Sequence, residues 1–195
     1  MSKNRWFQIS GFAGIVAPVI AVSCIFVAIA NYPLFVWTDN ALSDLGVKEG
    51  LASLSFNSGL VIGGILALVF ASGLVGLFFE SKMGKFGAVL FSASSLFLTC
   101  IGLFNESYGS IHLFVSVAFF TLMPVSMLFL MSAFALREEQ ATALFTLAVG
   151  LIAALVWICH WAIGFGIGVA IPEILSGGTI STWTVVLGFR LIMRP

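Results

Sequence analysis

Charge is what this sequence has least of. Of its 195 residues only 8% are charged, whereas 61% are hydrophobic and 20 are Phe. A soluble domain carries roughly 25% charge, so the composition excludes one, and it excludes a disordered chain as well. The 8 Lys+Arg are matched by 8 Asp+Glu, which leaves no basic field to hold nucleic acid. Cysteine is scarce too. Cys24, Cys100 and Cys159 all fall inside apolar runs, and an odd number of membrane-buried thiols is not a disulfide framework. Such cysteines behave as small hydrophobes. With 20 Gly and a mean hydropathy of +1.17, the class that remains is an all-α, polytopic integral membrane protein. Each span needs about 20 apolar residues, so the chain has room for six or seven spans and none for a separate soluble domain.

The apolar runs place six transmembrane helices at about 9–30, 56–79, 84–104, 111–136, 141–167 and 169–193, in one domain covering 1–195. The first run ends in Ala28-Ile29-Ala30, which resembles a signal-peptidase site. It is longer than the apolar core of a signal peptide, so it is expected to stay as a helix. Gly164, Gly166 and Gly168 belong to the fifth span in this reading, and Ile171-Pro172-Glu173 lies in the tight turn after it. Gly59, Gly63, Gly64, Gly73 and Gly76 in the second span let helices approach closely. With six spans, Lys3, Arg5, Lys82, Lys85, Arg137, Arg190 and Arg194 fall on one side and only Lys48 on the other. Basic residues stay cytoplasmic, so the protein is expected in the cell membrane with both termini in the cytoplasm. The outer loop, 31–55, carries a short helix capped by Asp39 and ended by Gly46. Its Leu42 and Leu45 share one face, which rests on the membrane or tucks between helices. Ser53 is the expected cap of the second span.

The polar residues divide by side. Glu80, Glu138 and Glu139 lie with the inner basic residues as solvated loop charges. Asp39, Asp44, Glu49, Asn57, Asn105, Glu106, His112, His160 and Glu173 lie towards the outer end. Ionisable groups inside a membrane are costly and usually face the bundle interior, which makes them functional candidates. The candidate catalytic set is Asp44, Glu106, His112, His160 and Glu173. Ser43, Asn57, Trp157 and Trp161 are candidate substrate contacts. For His160 the plainer alternative is a buried imidazole bonded to a backbone carbonyl in an aromatic belt. For His112 it is a helix-end residue in water. Glu106 and His112 flank the turn Ser107-Tyr108-Gly109-Ser110, which is expected to bring them together, the carboxylate holding the imidazole.

The words Ala41-Leu42-Ser43-Asp44-Leu45-Gly46, Phe56–Gly64, Gly102–His112 and Ile171-Pro172-Glu173 resemble the multi-pass membrane family catalogued as domain of unknown function 998. The resemblance covers nearly the whole chain. The family pattern falls here on Ser43, Asp44, Asn57, Glu106, Gly109 and His112, and Asn105 stands where the family often has Pro. The resemblance implies a six-helix fold and a prokaryotic membrane location, and it supplies no activity. The family is distantly similar to membrane proteins implicated in remodelling lipid anchors, which implies lipid chemistry.

Several functions fit these residues. An enzyme acting on an outer-leaflet lipid, a hydrolase or transferase, would use a histidine as general base beside a carboxylate. A zinc version would take His112, His160 and Glu106 as ligands. A non-enzymatic protein would bind or transport lipid, or a small molecule in the outer cavity. His112 and His160 on consecutive spans could also ligate haem. A structural partner subunit with no chemistry of its own is the remaining reading. Membrane lipids are the expected partners, and nucleic acid is not.

Overall fold

The computed structural model describes residues 3–194; the side chain of Lys3, counted above with the inner basic residues, lies outside that description. Six long helices make the fold: α1 Lys3–Ala30, α2 Leu51–Leu77, α3 Lys82–Leu103, α4 Ser110–Ala135, α5 Gln140–Ile163 and α6 Ala170–Ile192. In an apolar medium a helix satisfies its backbone internally. The hydroxyls along these helices do the same by bonding back one turn, as Ser95 does to Phe91 O at 2.9 Å and Thr146 to Thr142 O at 2.7 Å. Consecutive helices pack against each other, and α1 also packs on α6.

The helices alternate in direction. Ser176 bonds Ala153 O and Trp183 Nε1 donates to Thr146, so α6 runs back along α5. Gly73 meets Ser10 while Gly59 meets Cys24, so α2 runs back along α1. Alternation collects Arg5, Lys82, Lys85, Arg137, Arg190 and Arg194 at one end and leaves Lys48 at the other. At the centre Trp183 is fully buried, its ring packed on Phe70 and Phe91. Aromatic pairs of this kind contribute about 0.5–1.5 kcal/mol each beyond area burial.

Five of the described helices, α1 to α5, are long and apolar enough to cross a membrane. The sixth has 23 residues, about 35 Å at 1.5 Å per residue, which is sufficient length. Its composition is what separates it from the others. Glu173, Ser176, Thr179, Ser181, Thr182, Thr184 and Arg190 interrupt its apolar surface, and Ser176 and Thr184 are buried against the bundle.

Other expectations are corrected. The fifth helix stops at Ile163, before its three glycines, because Gly164 turns the chain at φ 82° and Gly166 follows at φ 138°. These glycines serve a loop rather than helix packing. Gly168 N bonds Thr38 O at 2.8 Å, and a Cβ on Gly166 would lie 2.2 Å from that same oxygen. Ile171-Pro172-Glu173 is the first turn of α6, not the preceding turn. In the α1–α2 loop Asp39 does not cap the short helix; its carboxylate accepts from Thr38 instead. The short helix there is a 3-10 turn, Ser43–Val47, with Gly46 inside it rather than after it. Leu42 and Leu45 are buried, so this segment tucks between helices. Helix α2 begins at Leu51, which leaves Ser53 in its first turn rather than capping it.

Candidate functional site

Three segments meet at the end of the bundle that holds Lys48. They are the 3-10 turn Ser43–Val47, the α3–α4 connection, and the first turn of α6. A shared acceptor joins the first two: Gly46 O takes bonds from Asn57 Nδ2 at 2.9 Å and Asn105 Nδ2 at 3.2 Å. Position 46 admits only glycine without a shift, since a Cβ would lie 2.7 Å from Asn57 Oδ1. The third segment joins through Glu173, whose Oε2 accepts from Leu42 N at 2.6 Å.

These joints bring three acids together. Ser43 Oγ donates to Glu106 Oε1 at 2.7 Å. Glu106 and Asp44 lie close enough to act on each other electrostatically, and both act on Glu173. Burial pushes the Glu106 carboxyl above its usual range; the bond from Ser43 opposes this, and neighbouring Asp44 reinforces it. Asp44 Oδ2 is itself fixed by Asn40 Nδ2 at 2.6 Å and Ala41 N at 3.1 Å.

His112 is buried at the start of α4. The expected bond from Glu106 is absent, and its Nδ1 lies 2.7 Å from Phe104 O instead. A carbonyl only accepts, so Nδ1 carries hydrogen and the neutral ring has its lone pair on Nε2. Nε2 is 3.4 Å from Ser116 Oγ. Ser116 escaped the sequence reading, although its spacing of four from His112 on one helix face was the available signal.

A groove of about 880 Å³ runs from this cluster down between α4 and α5. Ser43, Glu106, His112 and Glu173 line its polar end, with Trp157 and Trp161 on the α5 wall; Pro124, Leu128, Gly150 and Leu151 line its apolar end. From His112 to Leu128 the α4 wall extends roughly 24 Å, most of the ~30 Å apolar thickness of a bilayer. A smaller cavity of about 130 Å³ lies inside the bundle, and Ser43, Ser116, Phe120 and Glu173 line both spaces.

Not every candidate reaches the groove. Asp44 stands behind Glu106, and Asn57 holds Gly46 O. His160 is buried among Trp161, Phe165 and Trp157, with ring centroids at 5.1, 5.8 and 6.3 Å, and its Nδ1 has no hydrogen-bond partner. The groove is lined by His112 and not by His160, so the two imidazoles are not presented to one ligand there, as haem would need. Among the described residues no three His, Cys, Asp or Glu side chains gather as a metal ion requires. The zinc set His112, His160 and Glu106 is therefore not assembled.

The molecule is thus an apolar multi-helix membrane protein with a polar-ended groove in its wall. The family described as Protein of unknown function (DUF998) matches residues 15–190, and the chain belongs to that family. No curated protein and no solved structure matches the chain.

Proposed function

We propose that this protein binds a membrane lipid in the α4–α5 groove and acts on it as a hydrolase or transferase. In this reading all six helices span the membrane, both termini are cytoplasmic, and the groove's polar end faces the outer leaflet. The observation that carries the reading is the single continuous groove, apolar for most of its length and ending on Ser43, Glu106, His112 and Glu173. An acyl chain suits the apolar stretch, and the bond to be broken then lies beside His112. The main-chain bond from Nδ1 to Phe104 O leaves Nε2 to accept a proton from an attacking hydroxyl. That hydroxyl is Ser116 at 3.4 Å, Ser43, or one carried by an acceptor molecule. Among the described residues no Lys or Arg lines the groove, so nothing there would compensate the charge of a phosphate. The headgroup is therefore neutral or cationic.

The test is to extract and identify lipid from the purified protein, then follow that lipid by mass spectrometry in vesicles holding wild type or His112→Asn. Bound lipid that wild type cleaves or transfers, and the variant does not, supports the reading. Bound lipid with no turnover in either reduces the function to binding or transport. Absence of any bound lipid overturns both.

A further inference from the structure

The opposite end of the bundle holds a second site. Three arginines converge on one carboxylate there. Arg137 Nε and Arg190 Nη2 each lie 3.3 Å from an oxygen of Glu139, and Arg194 Nη2 lies 3.5 Å away. One carboxylate among three guanidinium groups leaves two positive charges uncompensated within the cluster. Glu139 is held in place by the α4–α5 turn, where Glu138 adopts the left-handed φ of 62° and Glu139 N bonds Phe134 O at 3.0 Å. Arg137 is anchored as well, donating to Leu77 O at 3.0 Å and lying over the Phe78 ring. Arg190 near the end of α6 and Arg194 just after it keep 42% and 32% of their side-chain surface open.

These groups surround a notch of about 200 Å³ whose floor is Leu77, Phe134, Leu187 and Leu191 and whose rim is Arg190 and Arg194. An apolar floor beneath a cationic rim, at the end of a membrane bundle, matches the junction of a phospholipid between its phosphate and its chains. Basic pockets between membrane helices on the cytoplasmic side recognise anionic headgroups in this way. A free anion would have no use for the floor. We infer that Arg190 and Arg194, steered by Glu139, form a binding site for the phosphate of an anionic phospholipid, separate from the α4–α5 groove. Burial and the charge of Arg137 hold the Arg194 guanidinium below its usual range, Glu139 opposes them, and Arg190 adds to them. A phosphate would relieve that uncompensated charge.

Native mass spectrometry of the full chain in neutral detergent tests this, with phosphatidylglycerol, phosphatidylcholine and inorganic phosphate as probes. Wild type is expected to bind phosphatidylglycerol at least about tenfold more tightly than phosphatidylcholine. Each cation near an anionic lipid contributes roughly fivefold in affinity, so R190Q/R194Q should lose about twenty-five-fold. K82Q/K85Q, on the same end of the bundle, should lose far less. E139Q removes the internal counter-charge and should bind phosphatidylglycerol more tightly, an effect opposite in sign to damage. Equal affinity for the two lipids, equal losses in the arginine and lysine variants, or no gain in E139Q would each overturn the site. Full displacement of phosphatidylglycerol by millimolar phosphate would reassign it to a free anion and overturn the lipid claim. Should R190Q/R194Q fail to fold, the lipid preference of wild type and the sign of the E139Q change decide.

Discussion

Ser43 donates its hydroxyl to Glu106 across 63 positions of sequence, at 2.7 Å. The bond crosses from the α1–α2 loop to the α3–α4 connection, and both residues line the groove. It also orders the acids. Glu106 receives Ser43 on Oε1 and lies beside Asp44; burial, with that neighbouring charge, raises its carboxyl, so it retains a proton to higher pH than a free one.

That retention has a pH signature. Burial raises the Glu106 carboxyl above its ordinary 4.5, so the folded protein keeps a proton that the unfolded chain releases. A raised acid contributes stability that is full below the unfolded value and is lost as pH climbs through the folded one. Melting temperature in detergent should therefore fall from pH 4.5 upwards more steeply in wild type than in Glu106→Gln, which stays neutral throughout. Parallel profiles would remove Glu106 from the account.

His112 separates chemistry from architecture through the choice of replacement. Truncation to Ala leaves Phe104 O without its bond and opens space at a buried position, at a cost of about 1–3 kcal/mol. A substitution to Asn keeps an N–H near the position of Nδ1 and removes the basic Nε2. His112→Asn should melt within a few degrees of wild type while losing turnover, and His112→Ala should lose both. An Asn variant that retains turnover would rule out Nε2 as the base.

The groove can be filled without touching its polar end. Ala154 lines it from α5, and Phe at that position projects into the space a chain would use. Excluding two methylenes lowers affinity about tenfold. Lipid recovered from Ala154→Phe should fall by at least about that factor, with melting unchanged, as measured by extraction and quantitative mass spectrometry.

The basic residues that the alternating helices collect at one end predict the orientation. A reporter fused at the C-terminal end should be cytoplasmic, and one inserted beside Glu49 should be external. The reverse result would turn the groove's polar end to the inside and require an inner-leaflet lipid.

Much of the fold was legible because these helices are written as long apolar runs; α3 and α4 follow theirs within two residues, whereas α1 and α2 begin earlier, at Lys3 and Leu51. Helix ends were less so. Ile163 ends α5 because Gly164 turns the chain so that Gly166 and Gly168 reach Thr38 and Asn40, a tertiary demand that apolar periodicity does not register. The gathering of Asp44, Glu106 and Glu173 at one end was readable from topology alone. Their partners were not. Ser43 finds Glu106 and Leu42 N finds Glu173 across separations that only packing closes. His112 lines the groove, but its partner is the Phe104 carbonyl at the start of the connection rather than the nearby Glu106. His160 belonged to the candidate catalytic set, yet its aromatic neighbours bury it.

The groove opens sideways, its flanks formed by outward-facing Leu113, Val117, Leu151 and Ile158. Anything filling it by that route arrives through two-dimensional diffusion, and occupancy follows its mole fraction in the leaflet rather than its aqueous concentration. Detergent is then a competitor present in great excess. Affinities measured in micelles would understate those in vesicles, and would rise as the detergent's tail becomes too bulky to enter between α4 and α5.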